Sequence, residues 1–261
     1  MPERIKNMNK TPIMYNDKQF EELETYIEEN FGSHYDYIVH EIESEYVHTD
    51  TFVVKSKDGD KIFVTCGMGA RAMNTPFGFK RCELAIQARS RLPVTSENAM
   101  ILAGELAKIS KFPFCEETWF GTGHTMDVSK KFKEAFGYDY IAFMKLPHSA
   151  SITGIKEDIE FLLAVPIYEA EREWCVENHT LAFLEKLNKK VEGKEVYADF
   201  KRELFIPEPL DEDELYEYNV MTVLGIDKPT LQKLCDYLDE QEQNGTQVTY
   251  DMIGKWVFEN S

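Results

Sequence analysis

Apolar residues recur every three to four positions from Phe20 through Leu23 and Ile27 to Phe31, which marks one face of a helix. Asp17 can cap its start, and Gly32 ends it. Three short segments that favour strands follow: Tyr37–Ile42, Thr51–Lys55 and Lys61–Cys66. Asp58-Gly59 between the last two is a hairpin signal. Residues Gly67–Phe79 carry glycines and a proline without periodicity and read as an ordered loop. Cys82, Leu84, Ile86 and Ala88 then alternate with polar residues, which predicts a strand over Arg81–Arg89. A helix over 97–111 turns Ala99, Leu102, Leu106 and Ile109 inward, and Pro113 closes it. A second glycine-bearing loop fills 114–125. Tyr140–Leu146 and Ile159–Tyr168 read as strands, the second so apolar that both of its faces should be buried. One long helix fits 169–189, with Trp174, Leu181, Phe183, Leu184 and Leu187 as core contacts. Phe200–Ile206 fits a last strand.

The ends of the chain differ from this middle. Residues 1–15 are polar, contain Pro2 and Pro12, and read as a flexible lead-in. After residue 207 the composition turns acidic: Glu208–Glu217 holds six acids and no base. Residues 191–261 carry −11 of the chain's net −18. Two short helices fit there, over 229–241 and 249–258, parted by Asn244-Gly245. Three parts are therefore expected: the lead-in 1–15, a main domain 16–207, and an acidic, helical extension 208–261.

With 43% hydrophobic residues the chain can build a real core, so it is no disordered acidic tail. A balance of 29 Lys and Arg against 47 Asp and Glu argues against nucleic acid, whose phosphates are gripped by cations. It argues equally against an anionic membrane and favours a basic partner or plain solubility. The five cysteines are odd in number, far apart and free of any CxxC, so neither a disulfide framework nor a zinc site is expected. The start MPERIKNMNK lacks the apolar stretch of a secretory leader. The longest apolar run, Phe161–Tyr168, falls far short of the ~20 residues of a membrane helix. A cytoplasmic protein without cofactor or metal is the expectation.

Several residues invite chemistry. Gly67-Met68-Gly69 follows a strand as a dinucleotide loop would, but Pro76 and Gly78 interrupt the helix that such a loop needs. An ordered loop with glycine at positive φ fits as well. His124 is the histidine set in a glycine loop, Gly121-Thr-Gly123-His124-Thr125, and it can be acid, base, ligand or a structural hydrogen-bonder. Cys175 and His179 lie four apart on the expected long helix, as a thiolate pair would, or as a buried Cys beside a surface His. His40, Glu41, Glu43, Glu45, His48 and Asp50 form a polar cluster whose row of acids needs solvent or a cation. Asp211, Glu212, Asp213 and Glu214 suit a basic partner, or the start of a helix.

Taken in order, these segments resemble a family. IFVTCGMGARAMNTP (62–76), CELAIQ (82–87), ETWFGTGHT (117–125) and LLAVPIYEAEREW (162–174) are similar to the Suppressor of fused domain. The likeness runs over residues 30–190. It rests on Gly67 and Met68, on Met73 and Pro76, on Glu83, on Trp119, and on Gly123, His124 and Thr125. The resemblance implies an α+β fold: a mixed, largely antiparallel sheet flanked by helices, here with a small acidic helical C-terminal extension. It also implies a binding module rather than an enzyme. In animals the family sequesters Gli-type zinc-finger transcription factors. This shorter chain looks more like the bacterial members, many of them immunity proteins of toxin systems.

The leading expectation is a non-enzymatic protein-binding module of bacterial immunity type that neutralises a basic toxin. Its contact residues are taken to be Trp119, His124, Asp211, Glu212, Asp213 and Glu214. Two alternatives stand beside it. One is a regulator or scaffold that binds a cellular peptide by strand addition. The other is a hydrolase that pairs His124 with Glu116 or Glu117.

Overall fold

A computed structural model of the chain describes residues 11–32, 35–42, 44–56, 59–76, 78–88, 96–190, 202–224, 226 and 228–260. Eight strands form one sheet: β1 (Tyr35–Val39), β2 (Asp50–Lys55), β3 (Lys61–Cys66), β4 (Met73–Thr75), β5 (Gly78–Ala88), β6 (Thr125–Asp127), β7 (Tyr140–Ala150) and β8 (Ile159–Ile167). Their order is β1-β2-β3-β5-β8-β7-β6, with β4 paired to β5 off this path. β5 and β8 run parallel, and the other pairs are antiparallel. The sheet is thus mixed and largely antiparallel, as expected.

β8 shows why the sheet needs two covers. Ile159, Phe161, Leu163, Val165 and Ile167 belong to one core, and Leu162 and Ala164 to the other. That is the period-two alternation of a strand buried on both faces. The first face is covered by α1 (Asp17–Phe31), α4 (Glu169–Glu177) and α5 (Thr180–Lys190). The C-terminal helices α6 (Glu212–Leu224), α7 (Lys228–Gln243) and α8 (Tyr250–Asn260) pack onto the same core through Tyr218, Met221, Leu231, Leu234 and Trp256. The second face is covered by α2 (Ser96–Cys115) and α3 (Lys130–Phe136).

Several expectations are corrected. The cap of α1 is Asn16, not Asp17; Asn16 and Gln19 form a reciprocal capping box. The first strand is shifted to Tyr35–Val39. The loop 67–79 contains a 3₁₀ turn, Met68–Ala70, and then β4, which pairs back on the early start of β5. Pro113 does not close its helix; α2 runs on to Cys115 with Pro113 inside. Proline lacks one N–H, so α2 forgoes a single helical bond there, and the Pro113 carbonyl still accepts from Thr118 N–H at 2.9 Å. The long helix is two helices. Asn178 departs from helical geometry (φ −113°, ψ −88°), and His179 begins α5 by accepting Leu181 N–H at Nδ1. Residues 202–206 form no strand. Residues 1–10 of the lead-in, Glu43, Asp58, Arg89 and Phe200 lie outside the described residues.

Candidate functional site

The first glycine loop is built around a buried carboxylate. Glu83 is fully buried in β5. Its Oε1 accepts from Tyr15 Oη, Gly67 N–H and Gly69 N–H, each at 2.9 Å. Its Oε2 accepts from Thr65 Oγ1 at 2.6 Å and Met68 N–H at 3.3 Å. Burial pushes the carboxyl above its ordinary value, and the donors pull it back. The N–H groups that a dinucleotide loop would turn on a phosphate here enclose the chain's own anion. Gly67 is required: its φ is +144°, and a Cβ would sit 1.9 Å from the His48 carbonyl oxygen. From this anchor the chain passes to Met73 and Thr75 in β4, with exposed Pro76 at the turn into β5.

The second glycine loop is stitched to β7. Gly123 N–H donates to the Phe143 carbonyl at 2.8 Å, and Phe143 N–H returns to the His124 carbonyl at 3.0 Å. Thr125 then opens β6 opposite Ala142. These bonds hold the His124 ring against Trp119, with centroids 4.5 Å apart. Burial lowers the His124 pKa, against a hydrogen bond to the Trp119 backbone. Neutral imidazole is the form favoured at neutral pH.

The two loops meet at a cavity of about 420 Å³. Met73, Cys82 and Leu162 come from the sheet, and Trp119, Phe120 and His124 from the second loop. Leu181, Met221 and Ile226 close it from the C-terminal side. Lys80, Lys145 and Lys228 add charge to the lining, with Lys145 on Glu160 at 2.8 Å and Lys228 on Glu217 at 2.7 Å. A pocket of this size with a largely apolar wall suits a bulky side chain or small ligand, and methionines let it adapt.

A family model, Suppressor of fused protein (SUFU), matches residues 45–203. The chain belongs to the Suppressor of fused family. Both glycine loops, Glu83 and the sheet side of the cavity lie within the matched stretch of this Suppressor of fused chain. The crystal structure of the Sufu-Fu complex is similar to it at 12% identity and a TM-score of 0.54, covering 84% of this chain and 99% of that one. A SUFU homolog from Neisseria gonorrhoeae FA 1090 is similar at 18% identity and a TM-score of 0.50, covering 73% and 98%. At these identities the likeness is one of fold. No curated protein sequence matches the chain.

The other residues singled out in the sequence are placed as follows. Asp211, Glu212, Asp213 and Glu214 are exposed at the start of α6. Asp211 Oδ1 accepts Glu214 N–H at 2.8 Å and Glu214 Oε2 accepts Asp211 N–H at 3.4 Å, a capping box. Met221 at the cavity lies seven residues beyond Glu214, about 10 Å along the helix. None of the four acids lines the cavity with Trp119 and His124. In this Suppressor of fused chain the 40–50 cluster is solvated in part: His40 and Glu45 are exposed, while two of its acids are not. The Glu41 and Asp50 side chains are 9% and 7% exposed. Glu41 finds its cation in Lys111 of α2. Asp50 meets His40 at 3.0 Å and His48 at 3.2 Å. Burial pushes the Cys175 thiol up to about 12, which disfavours the thiolate of a Cys-His pair. Among the described residues no group of three or more His, Cys, Asp or Glu is placed to hold a metal ion. Among them, too, no helix is long and apolar enough to cross a membrane.

Sequence reasoning missed Arg202. Its guanidinium forms a bidentate pair with Glu171, Nη2 to Oε2 at 2.6 Å, and donates to the Pro166 carbonyl at 2.9 Å. It lies 5.3 Å from the Tyr138 ring centroid and 5.2 Å from that of Tyr168. The acidic helix start after Pro166 was the available signal, since a buried Glu calls for a cation.

The two half-buried histidines predict acid sensitivity. His179 accepts Leu181 N–H at Nδ1, so its Nε2–H donates to Thr222 Oγ1 at 2.8 Å and joins α5 to α6. Burial lowers its pKa as it does that of His124. Each contributes stability fully above the unfolded value of about 6.5. As pH falls below that, the unfolded chain takes up protons first, until the lowered folded values are passed. Urea titrations at pH 7.5 and 5.5 should show the loss. His179→Gln should flatten the pH dependence, and an unchanged slope in both His179→Gln and His124→Gln would refute this.

Proposed function

We propose that this chain is a non-enzymatic protein-binding module of immunity type, which captures a basic toxin and covers its active surface. The observation that carries this reading is the cavity where both family loops meet, with Trp119 and neutral His124 side by side in its wall. The Sufu-Fu complex is an assembly that contains a protein of similar fold, and the same kind of activity is inferred here. The net charge of −18 would speed encounter with a basic partner. In this reading residues 16–207 form the binding domain, and the 208–261 extension closes the cavity. The acids Asp211–Glu214 would steer the partner, while Trp119 anchors it. A regulator that takes up a cellular peptide by strand addition is the second reading, favoured by the outer edge of β1, which pairs with no described strand.

The test is a pull-down of the tagged chain from its native cells at low and moderate salt, followed by binding of the purified partner. Recovery of a basic toxin whose toxicity co-expression relieves is expected. Trp119→Ala should weaken that complex by at least about tenfold, the usual scale for a buried aromatic anchor. Neutralising Asp211–Glu214 should slow association mainly at low salt. Recovery of no toxin by folded protein, or equal binding by Trp119→Ala, would sink the reading.

A further inference from the structure

β1 is the last strand of the sheet, so one side of Tyr35–Val39 pairs with β2 and the other pairs with no described strand. The opposite border, β6, is only three residues long. Between Tyr35 and Tyr37 the register shifts: Tyr35 stands opposite Val54, and Tyr37 opposite Val53. Val54 belongs to the core on the α1 side and Val53 to the core on the α2 side. This bulge therefore turns two tyrosines, two apart in sequence, to opposite faces of the sheet. They are 37% and 36% exposed, one ring on each side of the open edge.

The surroundings are acidic. Glu24 and Glu28, one turn apart on α1, push the Tyr35 hydroxyl above its ordinary value through their negative charge, Glu24 most strongly. α1 holds six acids against the single base Lys18, which pairs with Glu22. On the other face Lys61 lies 5.4 Å from the Tyr37 ring centroid and 3.7 Å from Asp36. β1 precedes residue 45, where the family match begins, so this edge is a feature of the chain outside the matched stretch.

We propose that the outer edge of β1 docks an extended, basic segment of a partner protein as an added strand. Main-chain bonds to Tyr35–Val39 supply the pairing. Alternate Lys or Arg side chains lie over Tyr35 and reach Glu24 and Glu28, while the intervening side chains meet Tyr37. A second copy of this chain is the poorer occupant, because it would bring Asp36, Glu24 and Glu28 against the same acids. The proposal rests on the protein-binding reading but uses a surface other than the cavity.

The test uses the full chain and three fluorescent peptides of roughly eight residues, enough for one strand. These are a Lys-Val repeat, the same repeat N-methylated at alternate residues, and a Glu-Val repeat. Anisotropy gives affinity, and amide exchange maps the contact. The Lys-Val peptide should bind and protect the amides of 35–39. The N-methylated and Glu-Val peptides should not bind. Glu24→Gln with Glu28→Gln should weaken binding about three- to tenfold, on the scale of two surface charge contacts. Trp119→Ala should leave it unchanged. Equal binding of the N-methylated peptide would overturn the proposal by reducing it to charge attraction. So would absence of binding, or dimerisation of the chain through this edge. Protection confined to residues 119–124 and lost in Trp119→Ala would overturn it while supporting the cavity reading. Loss of toxin binding in Trp119→Ala with intact Lys-Val binding would separate the two surfaces.

Discussion

Glu83→Ala is expected to destabilise the protein by about 5 kcal/mol, among the largest effects of any single change. The variant removes the acceptor for five donors at once: two hydroxyls and three backbone N–H groups. Each buried donor left without a partner costs about 1–3 kcal/mol, and relaxation of the loop recovers part of the sum. At about 2–4 °C per kcal/mol for a chain of this size, the melting temperature should fall by roughly 10–20 °C. Glu83→Gln should fall between the two, because its carbonyl still accepts but its amide NH₂ faces other donors. The half-buried partner of Arg81, Glu157, is the control; Glu157→Gln should shift melting by ~2 °C or less. The anchor also has a functional consequence. The Glu83 loop leads into Met73 and Thr75 at the cavity, so any Glu83→Ala protein that folds should also bind its partner poorly. A Glu83→Ala melting temperature within ~3 °C of wild type would mean that the loop holds itself without the carboxylate.

Glu83 also shows how far the sequence could be read. Alternation in β5 correctly set Cys82, Leu84 and Ile86 on one buried face. It also implied a polar, outward face for 83, 85 and 87. β5 is central, so its other face is buried as well, with Ala85 in the α1-side core. A glutamate on such a face must be satisfied internally, and only the family likeness marked it as special. β3 was legible at both ends because its apolar run and turn signals agree. The acids 211–214 offered a helix start, but the extent and buried face of α6 were not legible, because its acids mask the spacing of Tyr218 and Met221, the two residues it buries. The break at Asn178 was hidden because the apolar spacing carries on across it, while Asn178 donates back to the Trp174 carbonyl at the end of α4 and His179 accepts from Leu181 N–H at the start of α5. Trp119 and His124 were legible as a pair in one loop. The cavity was not, since Met73, Leu162, Leu181 and Met221 lie far apart in the chain and meet only after the C-terminal helices dock.

Breaking the Glu171–Arg202 pair is the second large effect. The Glu171 side chain has no exposure, and that of Arg202 is 8% exposed. Removal of one partner from such a pair costs about 3–5 kcal/mol, because the other charge stays buried without a counterion. Arg202→Ala is therefore expected to lose about 4 kcal/mol. Glu171→Ala should be at least as damaging, since Glu171 also accepts Tyr168 N–H and Phe205 N–H at 2.9 Å each. Arg202→Lys separates charge from geometry. Lysine keeps the charge but loses the fork that engages both Glu171 oxygens and the Pro166 carbonyl, so it should recover less than half of the loss. The double variant Glu171→Met with Arg202→Met leaves no orphan charge and should be more stable than either alanine variant. The pair also fastens residues 202–206 to the start of α4, and the chain continues from there into α6 and the cavity wall. Arg202→Ala should thus expose the amides of α6 to exchange sooner than those of β8, which the sheet protects. If urea titration finds Arg202→Ala within ~1 kcal/mol of wild type, the guanidinium is not the clamp described. If the double variant is the least stable of the set, hydrogen bonds to Tyr168 and Phe205 matter more than the buried charges.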